Sequence, residues 1–200
     1  MRNLTLFLLV FFGIVFKTLN AQEAKYIEFW SKTDAEFADP EKSPLKKTEV
    51  AEFDSVARYP YNPDFALKAN YDSLTRQKPI TFQTTGAIKQ RYQKAGILTF
   101  VVDTNVQVLA AYRNLELMRM PGYENRLFIP FTDASNGFGT YEGGRYLEIE
   151  IPEADSVLID FNLVYNPYCA YSDRYSCPIP PRENDLDVKI LAGAKSPAKK

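Results

Sequence analysis

The chain has 200 residues, with 24 Lys and Arg against 25 Asp and Glu, and no histidine. A near-neutral balance without clustered basic residues excludes a nucleic-acid footprint. The missing histidine excludes Ser-His-Asp and Cys-His nucleophiles, His-ligated zinc, and the side chain most often used for proton transfer near neutral pH.

The first residues have the layout of a cleavable secretory signal: Arg2, a nearly unbroken apolar run Leu4–Phe16, and a polar stretch Lys17–Ala21 ending in a small residue. Cleavage is expected after Ala21. The apolar run falls short of the roughly 20 residues a membrane-spanning helix needs, so the mature chain is expected not to insert stably in a membrane. An uncleaved anchor is the alternative. No cysteine follows the run to carry a lipid. The expected organisation is a signal peptide over 1–21, one globular domain over 22–195 and a disordered basic tail over 196–200. The mature protein would be periplasmic or secreted, with 22 basic residues against 25 acidic ones.

Tyr26, Trp30, Thr33 and Phe37 fall at helical spacing, which predicts a helical lead-in that docks through Trp30 and stops at Asp39-Pro40. One or two short turns follow through Phe53, then a Pro/Tyr/Asn-rich link over 59–63. From Phe65 the period changes to two. Strands are predicted at Phe65–Tyr71, Ile80–Thr84, Ala87–Tyr92, Gly96–Val102, Val106–Arg113, Arg126–Phe131, Arg145–Ile151, Ser156–Leu163 and Leu186–Leu191. Asp103-Thr104-Asn105 reads as a hairpin turn. About nine short strands with tight turns predict a mainly β domain, a β-sandwich or partly open barrel. Two loops interrupt the pattern, Thr132–Gly144 and Tyr165–Asp185. The second is long but aromatic, which predicts an ordered cap and not a disordered segment.

Around these loops stand Leu127-Phe128-Ile129-Pro130-Phe131-Thr132-Asp133, Asn136-Gly137, Thr140-Tyr141, Gly143-Gly144-Arg145-Tyr146, Asp160-Phe161-Asn162, Tyr165-Asn166-Pro167, Cys169-Ala170, Cys177-Pro178, Pro180-Pro181, Glu183-Asn184 and Ala192-Gly193. In this order they resemble a bacterial family catalogued only as a domain of unknown function, DUF1684, over roughly Trp30 to Lys195. The resemblance implies no activity. It implies a periplasmic setting and draws attention to the same two loops.

The residues themselves suggest a ligand site at the loops. Arg145, opening a strand after two glycines, offers a planar fork for a carboxylate or phosphate, or pairs structurally with Asp133 or Asp160. Asp160 and Asn162 share one strand face, opposite Val157, Ile159 and Phe161. If Arg145–Ile151 and Ser156–Leu163 form a hairpin, Arg145 lies opposite Asp160 and Asn162. The long loop supplies Tyr165, Tyr168, Tyr171 and Tyr175 as flat faces with polar tips, with Asn166 and Arg174 among them. The ligand-binding candidates are Asp133, Asn136, Tyr141, Arg145, Asp160, Asn162, Asn166, Tyr168 and Arg174. Cys169 and Cys177 suggest a disulfide closing a small loop, against two buried thiols or half of a metal site. No metal and no cofactor are expected. The partner this implies is a small-molecule ligand, held by a binding or structural module of the cell envelope. The rival is a histidine-independent hydrolase using carboxylates from Asp133, Glu142 and Asp160. Two facing carboxyls would favour the enzyme, an aromatic and amide-lined groove the binding module, and a loop packed without a cavity a structural role.

Overall fold

The computed structural model describes residues 21–197. The expected signal segment before Ala21, and Ala198–Lys200 of the expected tail, lie outside the described residues. Helix α1 occupies 21–38 and ends ahead of Pro40, which cannot continue it. Its predicted face is the one buried: Trp30 and Phe37 lie inside, and the Trp30 Nε1–H donates to the Asn162 carbonyl at 3.0 Å. Asp34 on the same helix accepts from the Val56 amide and pairs with Arg58, both within 3.0 Å, which ties the following segment back to α1. Between them lies the short helix α2 (Lys47–Val50).

The body is one antiparallel sheet curled into a half-barrel. Its strands are β1 (Ala66–Ser73), β2 (Ile80–Phe82), β3 (Gln90–Val102), β4 (Asn105–Asn114), β5 (Arg126–Asp133), β6 (Arg145–Glu150), β7 (Ser156–Asp160) and β8 (Asp185–Leu186). The order is β6-β5-β4-β3-β1-β7, with β2 on β3 and β8 parallel to β5. The predicted β3–β4 hairpin forms, with Asp103 at φ 54° in its two-residue turn.

Five expectations change. Of the two architectures expected, the partly open barrel is the one approached, as a single curled sheet of eight strands and not a sandwich or nine strands. Ala87–Tyr92 and Gly96–Val102 merge into the long β3, whose register shifts between Lys94 and Gly96. That bulge needs glycine, because a Cβ on Gly96 would meet the Tyr71 ring at 2.2 Å. The predicted β6–β7 hairpin does not form either: β7 pairs with β1, Ala66 opposite Asp160, and β6 pairs with β5. The strand expected to reach Leu163 stops at Asp160, whose carboxylate accepts from the Asn162 amide at 3.0 Å and turns the chain. The strand expected over Leu186–Leu191 shrinks to β8; beyond it the Val188 carbonyl accepts from the Ala134 amide and Ile190 bonds the side chains of Asp133 and Arg145.

Inside the curl lies the main core, including Leu98, Phe100, Leu109, Leu127, Ile129, Phe131, Leu147, Ile159 and Phe161, with Ile190 and Ala192 from the C-terminal segment. An isolated bridge joins Tyr146 of β6 to Tyr165 in the segment after β7, with two backbone bonds of 2.9 and 3.0 Å. The alternate residues of β3 to β6 form a second face. Tyr92, Tyr112 and Phe128 pack there with Phe82, and α1 and the Tyr165–Asp185 loop cover part of it.

Strands β4 and β5 pair only at Tyr112 and Phe128. Pro130 has no N–H to continue the ladder, and Asn184 fills the gap. Its Oδ1 accepts from the Ala110 amide at 2.7 Å, and its Nδ2 donates to the carbonyls of Ala110 at 2.9 Å and Pro130 at 2.7 Å. Asn184→Ala strands three buried backbone groups and should lower stability by about 3 kcal/mol. A urea titration with an unchanged midpoint would show that the strands close without it.

Candidate functional site

The second face of the sheet, α1 and the long loop enclose a cavity of about 510 Å³. One wall is a line of rings set by strand register: Tyr92 on β3, Phe128 on β5, Tyr146 on β6 and Tyr165 at the loop's start. Their centroids are 5.4, 4.7 and 5.8 Å apart in succession. The facing wall is Phe29, Trp30 and Phe37 of α1 with Tyr168 and Tyr171 of the loop, Phe37 lying 4.9 Å from the Tyr171 ring. Leu117, Met118 and Tyr123 also line the space.

The polar groups are few and oriented. Glu148 on β6 accepts from the Tyr165 hydroxyl at 3.0 Å and pairs with Arg126 at 3.0 Å. Glu36 on α1 accepts from the Tyr168 hydroxyl at 2.8 Å. The Gln90 amide oxygen accepts from the Tyr92 hydroxyl at 2.8 Å and from Asn114 at 3.3 Å. Burial raises Tyr92 and Tyr171 to about 12 and drives Tyr146, Tyr165 and Tyr168 higher still. These hydroxyls therefore stay neutral, and Glu36, Glu148 and Arg126 stand among them in the lining.

Of the candidates named from the sequence, Asn166, Tyr168 and Cys177 line this cavity. Asn166 is buried, donating to the Lys195 carbonyl at 2.7 Å and the Tyr171 hydroxyl at 3.1 Å, while its Oδ1 has no hydrogen-bond partner. The others belong to the frame. Arg145 is fully buried: its Nη2 lies 2.8 Å from Asp133 and 2.7 Å from the Ile190 carbonyl, and its Nη1 bonds the carbonyls of Ala192 and Ala194 at 2.6 and 3.1 Å. Gly144, at φ +87°, allows this approach, since a Cβ there would meet the Phe131 carbonyl at 2.6 Å. Asn136 holds its own loop, accepting from the Asp133 amide and donating to Thr140 and the Tyr141 carbonyl.

Asn162 latches the link over 59–63, bonding both the amide and the carbonyl of Asn62, at 2.9 and 2.8 Å. Asp160 spends one oxygen on Asn162. Its other oxygen has no partner, and burial raises its pKa. Arg174 holds the loop to the Ser43 and Leu45 carbonyls, away from the cavity. Asp133 and Asp160 share no hydrogen-bond partner and Glu142 is exposed, so the three carboxylates of the hydrolase reading do not form one bonded group. Among the described residues, no group of three or more His, Cys, Asp or Glu is placed to hold a metal ion.

The expected Cys169–Cys177 disulfide is not formed in this structure; both cysteines are free thiols. They remain neighbours, the Cys169 amide lying 3.1 Å from the Cys177 sulfur. The residues missed from the sequence are those of the second face, Tyr92, Phe128, Tyr146 and Glu148, and the α1 residues opposite them. Their one signal was that Tyr146 and Glu148 alternate with the core residues Leu147 and Ile149, a pattern that equally describes a solvent-facing side.

Residues 51–195 match a protein family described as a protein of unknown function, DUF1684, and the chain belongs to it. The chain is also similar to an uncharacterized protein of Haloarcula marismortui solved by solution NMR. The two are 30% identical with a TM-score of 0.71, over 90% of this chain and 96% of that one. No curated protein matches.

The Arg145 cluster sets a clear energetic expectation. Arg145→Met leaves Asp133 buried without its cation and should destabilise the domain by about 3–5 kcal/mol. Arg145→Lys should not restore the loss, because one ammonium cannot reproduce the fork across three carbonyls and a carboxylate. Asp133→Asn in the Arg145→Met background should recover part of it. Denaturant midpoints for the three variants test this, and a stable Arg145→Met protein would refute it.

Proposed function

We propose that this DUF1684 member is an exported protein of the cell envelope, periplasmic or secreted, that binds a small ring-bearing molecule in the aromatic cavity. The observation that carries the binding reading is the cavity itself. Its volume of about 510 Å³ and its aromatic lining with a few oriented polar groups are those of a small-molecule site. Rings on opposing walls suit a flat ligand, while Glu36, Glu148 and the amides offer acceptors to its edge. The export reading rests on the sequence layout from Arg2 to Ala21. Among the described residues, no helix is long and apolar enough to cross a membrane.

A thermal-shift screen of the purified protein against envelope sugars, nucleotides, organic acids and ring-bearing amines tests the first part. A ligand at 100 times its dissociation constant adds about 2.7 kcal/mol of stability. Leu117→Trp, which fills the mouth of the cavity from an exposed position, should leave the unliganded melting temperature near its starting value and remove the shift. A shift that persists in this variant would place the ligand elsewhere. The second part is tested by N-terminal sequencing of the exported fraction, which should begin at Gln22; an intact Met1 there would remove the export reading.

A further inference from the structure

We propose that Cys169 and Cys177 form a thiol–disulfide exchange site at the edge of the cavity, with Cys169 as the attacking thiol and Cys177 as the resolving one. The substrate class is a low-molecular-weight disulfide. The two residues are unlike in setting. Cys169 sits in the short turn Tyr168–Ala170, where it is partly exposed, whereas Cys177 is buried on the returning arm of the loop and lines the cavity.

Their positions are fixed from both sides. The Cys169 amide donates to the Cys177 sulfur at 3.1 Å. The Cys177 amide donates to the Thr85 hydroxyl at 3.1 Å, and the Thr85 amide donates to the Cys177 carbonyl at 3.0 Å. The Thr85 hydroxyl, which accepts from the Cys177 amide, and the Tyr141 hydroxyl border the pair. A partly exposed thiol beside a buried one, with the amide of the first 3.1 Å from the sulfur of the second, suits attack by Cys169 and resolution by Cys177.

The electrostatics agree with that geometry. The hydrogen bond from Cys177 is the largest influence on Cys169, and with Thr85 and Tyr141 it lowers the thiol to about 6 against the opposing effect of burial. The same contact and burial push Cys177 upward, so it keeps its proton until attack is needed. The titratable groups facing the pair are Tyr141 and Tyr146, both held neutral by burial, Tyr141 at about 12.

The step balances without a cofactor. The Cys169 thiolate attacks one sulfur of the small disulfide, forming a mixed disulfide and releasing one thiolate, which takes a proton from solvent. Cys177 then loses its proton, attacks the Cys169 sulfur and releases the second thiol. The protein dithiol is oxidised by two electrons and the small disulfide is reduced to two thiols. Because the donors around Cys169 stabilise its reduced form, the resulting bond is easily reduced again and does not act as a structural staple.

The test uses the reduced, purified protein and oxidised glutathione. Wild type should lose two hydrogens in mass and release two equivalents of glutathione, and reduced glutathione should reverse the change. Cys177→Ser should stop at one glutathione attached to Cys169, and Cys169→Ser should remain unmodified. Peptide mapping of wild type under limiting oxidised glutathione gives the same assignment without a variant. The pH midpoint of Cys169 alkylation should lie near 6, against about 8.5 for an ordinary thiol, and should rise in Tyr141→Phe. Unreactive wild-type thiols, first attachment at Cys177, or an intramolecular disulfide that resists reduced glutathione would each overturn the proposal.

Discussion

The domain is organised around a guanidinium with no access to water. An unpaired charge at such a depth costs several kcal/mol, so every group around Arg145 is constrained to answer it. Asp133 supplies the countercharge and Ile190, Ala192 and Ala194 supply carbonyls. Asp133 in turn accepts from the Ser135 amide at 2.8 Å and the Ile190 amide at 3.2 Å. One ion pair thus fixes the end of β5, the start of β6 and the chain from 190 to 194. Burial alone would lower the affinity of Arg145 for its proton, and the adjacent Asp133 charge opposes that. Of the Arg145 side-chain nitrogens, only Nε has no hydrogen-bond partner; both terminal nitrogens are bound within the cluster.

The cavity depends on the same pin from the other side of the sheet. Successive side chains of a strand point to opposite faces, so when Arg145 is held inward Tyr146 must face outward, and Glu148 with it. Tyr146 then meets Phe128 across the β5–β6 ladder and Tyr165 across the closing bridge. The register that fills the inner core therefore also sets the spacing of the rings on the cavity wall. The long loop closes the space through bonds to backbone and side chains of other elements: Arg174 to the Ser43 and Leu45 carbonyls, Tyr168 to Glu36, and Asn166 to Lys195.

What could be read from the sequence followed the range of the interaction. Helix α1 and its Trp30 face, and the β3–β4 hairpin, are set by local periodicity and turn chemistry, and both were visible. Asp133 stood among the partners weighed for Arg145, beside Asp160 and a ligand anion, because a strand-opening arginine after two glycines has few destinations. The supporting argument for a β6–β7 hairpin failed, since nothing in a short connection such as Ile151–Asp155 says which strand edge is free in a curled sheet. The cavity was missed for a related reason. Strand alternation separates two faces but does not say which one a distant helix will cover, so Tyr146 and Glu148 read like an outer surface. Asn184 is more hidden still: it lies in a turn, and its role exists only because Pro130 interrupts the β4–β5 ladder.

The loop between Tyr165 and Asp185 joins all of these features, which explains why it is both long and ordered. Its first residues close the sheet at Tyr146, its first turn carries Tyr168 to the cavity and Cys169 to the surface, and its return arm brings Cys177 behind the same wall. Tyr146 donates to the Pro178 carbonyl, and the Ile179 amide donates to the Gln83 carbonyl at 2.8 Å, so the return arm is pinned to β6 and to the chain after β2. Its last turn places Glu183 on Lys94 and on the Tyr112 hydroxyl, just before Asn184 enters the sheet. Moving either thiol must therefore shift Pro178 or the Tyr168 turn, and both lie against the cavity. The sulfur pair and part of the aromatic wall are thus carried on one segment.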